Sequence, residues 1–270
     1  MENQILAEVG NILAEFKTRH GAAALARVEE FVAVIAGMKT SQGDLLQQPN
    51  VLLFPRLTSH PWHDGAHFSQ AKKLEAAHGT IRAAVLRCLV GEDGLAQDGS
   101  VHPERLRSAV EALDGETPNF LVPKHQARFA PAVRAMCDIF RMDCYEPTQV
   151  KLLVLPRGTR KPSRYCDDNL HLSFRLGLTG RGKMEAGHET RTWESGRCLV
   201  SDDSYRHTAW SEGDEEFGLM LIVRSWHPEM TETEIHALAR LRAMMNAKGG
   251  THYTEWQSRL GDEAREQKGH

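Results

Sequence analysis

Apolar residues recur at helical spacing at both ends of the chain and at strand spacing between them. Ile5, Val9, Ile12, Leu13 and Phe16 fall on one side of a 3.6-residue repeat, which predicts a helix over 3–18. Gly21 allows a break, and Leu25, Val28, Phe31, Val32 and Ile35 predict a second helix over 22–38. The pair reads as a helical hairpin that buries its apolar faces. Ser41–Asn50 is polar and linker-like, and Val51–Phe54 is a short strand closed by Pro55. Helical patterns resume over 68–90, after Pro103, and over 127–140. Thr231 with Glu234 forms the sequence of a capping box opening a last helix, Glu232 to about Met245.

Between Val150 and Pro228 the period changes to two. Val150–Leu155, Leu170–Leu178 and Phe217–Val223 are strand-like runs bounded by Gly, Pro and Asp. Within NLHLSFRLGL, Leu170, Leu172, Phe174 and Leu176 share one face. His171, Ser173 and Arg175 share the other, where polar side chains are costly unless they serve a ligand or one another. Gly180–Gly187 reads as a turn. His188–Trp193 and Arg197–Ser201 read as a hairpin about Glu194-Ser195-Gly196, which leads through Asp202-Asp203-Ser204 to His207. His207 is the natural focus for chemistry, its plainest alternative being a buried histidine bonded to Asp202 or Asp203. His60 and His63 flank Pro61-Trp62, where a loop with Trp62 plugging the core is the commoner arrangement than a metal site. Trp193 and Trp226 are expected in the core, and His188-Glu189 on a hairpin surface.

Composition narrows the classes. At 270 residues, 41% hydrophobic and 26% charged, the chain has enough apolar surface for a sizeable core. A formal charge of −3 gives no electrostatic case for nucleic acid or an anionic membrane. There is no apolar run long enough to span a bilayer and no signal-peptide order at the N-terminus. The five cysteines are scattered, with no CxxC, which argues against a disulfide framework or zinc knuckle and for a reducing, cytoplasmic setting.

HETRTWESGR, SDDSYRHTAW and LIVRSWHPEMT together closely resemble the aspartyl/asparaginyl β-hydroxylase family. LLFPRLTSHPWHD resembles that family's entry segment, and VLPRGTRKP followed by NLHLSFRLGL its metal-bearing turn and next strand. The resemblance covers roughly residues 50–245. It implies an α+β fold: a double-stranded β-helix (a cupin-like jelly roll) with flanking α-helices and the N-terminal helical hairpin. The implied division is a helical segment at 1–48, the β-helix domain at 49–248 and a polar, mobile tail at 249–270. It also implies an iron(II)- and 2-oxoglutarate-dependent dioxygenase, acting on an amino acid, a peptide residue or a related small metabolite.

The implied site departs from the family pattern. His207 matches the second iron ligand. The first should follow Pro162, where Ser163 and Arg164 stand. The arginine and histidine that face 2-oxoglutarate match Ser173 and Arg175, and a further cosubstrate arginine matches Gly218. Arg175 is a substitute for the lost carboxylate clamp. His171, and Cys166 or Asp168 in the loop of the missing histidine, are the substitute metal ligands. Two other functions remain open: acid/base chemistry on an anionic substrate without iron, with His171, Arg175 and His207 in the cavity, or a non-catalytic binding protein. The N-terminal helices are the expected surface if the chain forms a homodimer.

Overall fold

The structure is a computed structural model that describes residues 4–47, 51–96, 100–140 and 149–249, with Trp256 and Leu260. The chain divides into two compact units.

The larger unit comprises His60–Arg164 and Leu172–Ser225. Its strands are β1 (Trp62–His63), β2 (Gln149–Pro156), β3 (His171–Thr179, entering at Leu172), β4 (Arg181–Ala186), β5 (Glu189–Glu194), β6 (Cys198–Asp202), β7 (His207–Ser211) and β8 (Phe217–Trp226, to Ser225). They form a five-stranded sheet in the order β1-β6-β3-β8-β2 and a three-stranded sheet in the order β5-β4-β7. From β3 onward the chain passes back and forth between the two sheets, which is the winding of a double-stranded β-helix. The period-two pattern explains both faces. Leu172, Phe174, Leu176 and Leu178 pack with Leu152, Leu219 and Leu221, and with Leu74, Ile81, Val85 and Phe129 of helices α3 (Ser69–Ala76), α4 (His78–Val90) and α6 (Pro123–Arg134). A further helix, α5 (Pro103–Glu111), starts at its proline as expected. The opposite face sets Leu153, Leu155, Met220 and Ile222 against Met184, Ala186, Trp193 and Ala209 of the small sheet.

Three local expectations are overturned in this unit. Arg181–Ala186 is a strand, because Gly182, Met184 and Ala186 are buried in alternation. The hairpin turn lies at Gly187, whose φ of +61° favours glycine. Consequently β5 pairs with β4, in the register Gly182↔Trp193 to Ala186↔Glu189, while β6 pairs with β3 and β1. Glu194-Ser195-Gly196 is thus a crossing between sheets, tied down by Ser195 N–H to Gly180 O and Gly196 N–H to Gly177 O. His188 and Glu189 are exposed at the β4–β5 turn. The single helix expected over 68–90 is two, α3 and α4, meeting at Ala77. Trp62 is buried and its indole N–H donates to Glu189 O at 3.0 Å, so it plugs this unit as anticipated.

The smaller unit comprises Met1–Ser59, Tyr165–His171 and Trp226–His270. Helices α1 (Gln4–His20), α2 (Ala26–Ile35) and α7 (Glu232–Ala247) build its core from Val9, Leu13, Val28, Phe31, Leu238 and Leu241. The N-terminal helices therefore share a core with the C-terminal helix. Trp256 and Leu260, in the stretch expected as a mobile tail, are buried in that same core, and the rest of 250–270 lies outside the described residues. Arg27 grips Glu234 with Nε at 2.7 Å and Nη2 at 2.5 Å. Glu234 also completes the capping box with Thr231. Val51–Phe54 makes one bridge, Leu52↔Asp168, rather than a strand, because the Phe54 N–H goes to the Asn169 side chain at 2.7 Å. Among the described residues no helix is long and apolar enough to cross a membrane.

Candidate functional site

Inside the larger unit, β3 and β6 run antiparallel with Ser173 opposite Ser201. Asp203 follows the last residue of β6. Asp202 shapes the bend by accepting the Ser204 N–H at 2.9 Å, which leaves Asp203 to face β3. The Arg175 guanidinium donates from Nη2 to both Asp203 oxygens, at 2.7 and 2.8 Å, and from Nη1 to the Ser201 hydroxyl. Ser173 donates to Asp203 Oδ2 at 2.6 Å, and Ser201 to Oδ1 at 3.0 Å. All four side chains are buried. Burial alone would raise the Asp203 carboxyl, but Arg175, His207 and the Ser173 hydrogen bond hold it well below the ordinary carboxylate range.

His207 opens β7 in the small sheet and is buried. Its Nδ1 lies 2.9 Å from the Tyr205 carbonyl, which only accepts, so Nδ1 carries the proton and Nε2 keeps its lone pair. Nε2 is 4.0 Å from Asp203 Oδ2. Burial pushes the imidazole below its ordinary pKa, Asp203 and the Tyr205 carbonyl oppose, and the Arg175 and Arg164 cations add to the depression. At rest His207 is a neutral imidazole. A proton taken at Nε2 would be offset by the Asp203 charge.

Arg164 is backbone-paired with His207: each N–H donates to the other's carbonyl, at 3.0 and 2.9 Å. Its side chain is exposed, and it has no ion pair among the described residues. The residue in register with His207 therefore presents a guanidinium.

Three of the anticipated residues, Ser173, Arg175 and His207, come together here. Asp203 and Ser201, on which the cluster turns, were not among the anticipated site residues. The signal available for Asp203 was its place four residues before His207. Asp168 and His171 belong to the smaller unit, where His171 Nδ1 lies 3.2 Å from Asp168 Oδ1 and the ring packs 4.5 Å from that of Trp226. Cys166 is half-buried in the same segment. The His60 and His63 rings lie 6.2 Å apart between centroids, tilted by 51°. Trp193 and Trp226 are buried, as expected.

The donor set does not fit the iron and 2-oxoglutarate site implied by the resemblance. Arg164 has only N–H donors and no lone pair for a metal. The Asp203 oxygens are taken by Arg175 and two serines, and the Arg175 guanidinium is spent on Asp203. At Gly218 a Cβ would lie 2.5 Å from Trp193 Cη2, so the indole occupies the start of the path an arginine there would follow. Among the described residues no three His, Cys, Asp or Glu side chains group closely enough to hold a metal ion.

Two facing antiparallel sheets with this winding define a jelly-roll, cupin-like domain. Residues 117–228 match the family model described as aspartyl/asparaginyl β-hydroxylase. Mouse aspartyl/asparaginyl β-hydroxylase is 37% identical over 93 residues, which are 33% of this chain and 12% of that protein. Mouse aspartate β-hydroxylase domain-containing protein 2 is 39% identical over 89 residues, or 32% of this chain and 26% of that protein. The chain thus spans a small part of these relatives' length. Among solved structures, a cupin protein from Bacteroides fragilis has a TM-score of 0.27 at 15% identity, covering 31% of this chain and 69% of its own. A cupin 2 conserved barrel protein from Salinispora arenicola has 0.28 at 15%, covering 37% and 76%. Scores this low add nothing to what the strand topology already shows.

Proposed function

We propose that this hydroxylase-family domain acts without the iron centre, binding a small carboxylate at Arg164 and using His207 as a general base on it. The observation that carries the reading is Arg164 in register with His207, a free cation in the position where the family pattern calls for a metal-binding imidazole. Arg164 holds the carboxylate by charge-assisted hydrogen bonds. His207 Nε2 takes a proton from a carbon next to the substrate's carbonyl, and the electron pair stays on the substrate as an enolate. Asp203, fixed by Arg175, Ser173 and Ser201, stabilises the imidazolium. Isomerisation through proton transfer is the reaction class this arrangement serves.

The iron(II) and 2-oxoglutarate reading stays as the rival on one observation: the Nε2 lone pair of His207, in the family's ligand position, has the tautomer a metal needs. One set of measurements separates them. In a chelator and without oxygen, succinate and 2-oxoglutarate should raise the melting temperature of the wild type and not of Arg164→Ala. Deuterium from D2O should enter the CH2 beside the 2-oxoglutarate carbonyl, and His207→Gln should abolish that uptake. A visible charge-transfer band with iron(II) and 2-oxoglutarate under anaerobic conditions, lost in His207→Ala, would overturn the proposal in favour of the rival.

A further inference from the structure

The larger unit carries a concavity whose lining does not include His207. Its volume is about 680 Å³, within the range of small-molecule sites. Thr179 at its edge lies six residues beyond Ser173 on β3, roughly 20 Å along the strand. One wall is a stripe of α4: His78, Arg82 and Leu86 recur every fourth residue and so share a helix face. Leu106 of α5 and Phe217 of β8 supply apolar surface opposite.

The polar groups around this groove divide into satisfied and unsatisfied ones. The Ser195 hydroxyl donates to the Leu178 carbonyl at 2.9 Å, and His78 Nε2 lies 3.2 Å from Ser195 Oγ and 3.3 Å from that same carbonyl. Glu216 is held by Arg107, with contacts of 2.7 and 2.9 Å. Arg82 and Glu215 both line the groove, yet neither has an ion pair among the described residues, with each other or with any neighbour. Half-buried Arg82 sits beside apolar Leu86 while other arginines of the helical layer, Arg87 and Arg107, are matched to glutamates. Half-buried Arg82 and exposed Glu215 thus bring an unmatched cation and an unmatched anion to a groove that is also lined by apolar side chains, which complements a molecule with the same three parts.

We propose that this groove binds a small apolar zwitterion of the dipeptide type: its carboxylate on Arg82, its ammonium on Glu215, and its side chains on Leu106 and Phe217. The site is separate from Arg164 and His207, and its ligand is not the carboxylate substrate proposed there.

The test uses leucyl-phenylalanine, its N-acetyl form and its C-terminal amide as probes, followed by NMR chemical-shift titration of the full chain up to about 10 mM. The dipeptide should saturate a set of shifts from α4, and each one-charge analogue should bind on the order of tenfold more weakly. Arg82→Ala should erase the preference for a free carboxylate, and Glu215→Gln the preference for a free ammonium. Arg82→Ala should keep the succinate-induced rise in melting temperature, so failure here and failure of the Arg164–His207 reading are told apart. Absence of saturable shifts with the wild type, or equal affinity for all three probes, would overturn the proposal.

Discussion

Replacing Asp203 by asparagine tests the reading of the buried cluster most directly. The side chain keeps its shape and loses its charge, so Arg175 is left as a buried cation facing a neutral amide. Arg175 is 2% exposed and Asp203 7%, so water reaches neither well enough to compensate. Removing one member of such a buried pair costs about 3–5 kcal/mol. Against a typical domain stability of about 5–15 kcal/mol, that is roughly a fifth of the total or more. Urea unfolding at neutral pH, followed by tryptophan fluorescence, reads the loss as a lower midpoint. A double variant, Arg175→Met with Asp203→Leu, removes both charges together and should lose less than Asp203→Asn alone, despite leaving the Ser173 and Ser201 hydroxyls without that partner. The acid limb provides an independent check. The folded Asp203 pKa is depressed, so its contribution is complete above the unfolded value, about 3.9, and is lost as pH falls below it. Asp203→Asn should flatten that part of the profile. A loss below about 1 kcal/mol in the single variant, or a double variant less stable than the single, would show that the pair is solvated and that the cluster does not organise the site.

Three further outcomes follow from other parts of the molecule. His207 has a depressed folded pKa, so the unfolded chain binds its proton first and stability should fall as pH drops below about 6.5; His207→Gln should reduce the slope of urea midpoint against pH between neutrality and pH 5 or so. Thr231→Ala removes the cap that holds the Glu234 N–H and should cost about 1 kcal/mol by thermal unfolding, whereas Thr231→Ser should retain most of it. Gly218→Ala drives a methyl to 2.5 Å from the buried Trp193 ring and should cost about 1–3 kcal/mol, with a change in Trp193 fluorescence.

What could be read from the order of residues is what depends on near neighbours. The capping box at Thr231 and Glu234 is closed within one helical turn, so its two residue types and their spacing suffice. The alternation in β3 likewise fixes which residues face the helices and which face the sheet interior, because side chains alternate along any strand. The helices of the N-terminal region were legible for the same reason. Strand partnership was not. RGKMEA alternates as cleanly as its neighbours, but its glycines and charges read as a turn, and only the packing of Met184 and Ala186 against the large sheet makes it a strand. Once β4 exists it takes β5, and the apparent hairpin about Ser195 becomes a crossing between sheets.

For the candidate site, the sequence singled out His207, Ser173 and Arg175, which the fold brings together, and placed Arg164 where the resemblance calls for an imidazole. It did not determine that Arg175 is spent on Asp203, a residue 28 positions away. Nor did it separate His171 from the Ser173–Arg175 cluster by its contacts with Asp168 and Trp226. Strand parity specifies a face, but the partner found on that face depends on which strand is laid alongside, here β6 beside β3, and burial then decides whether a charge is free for a ligand or consumed by its neighbour.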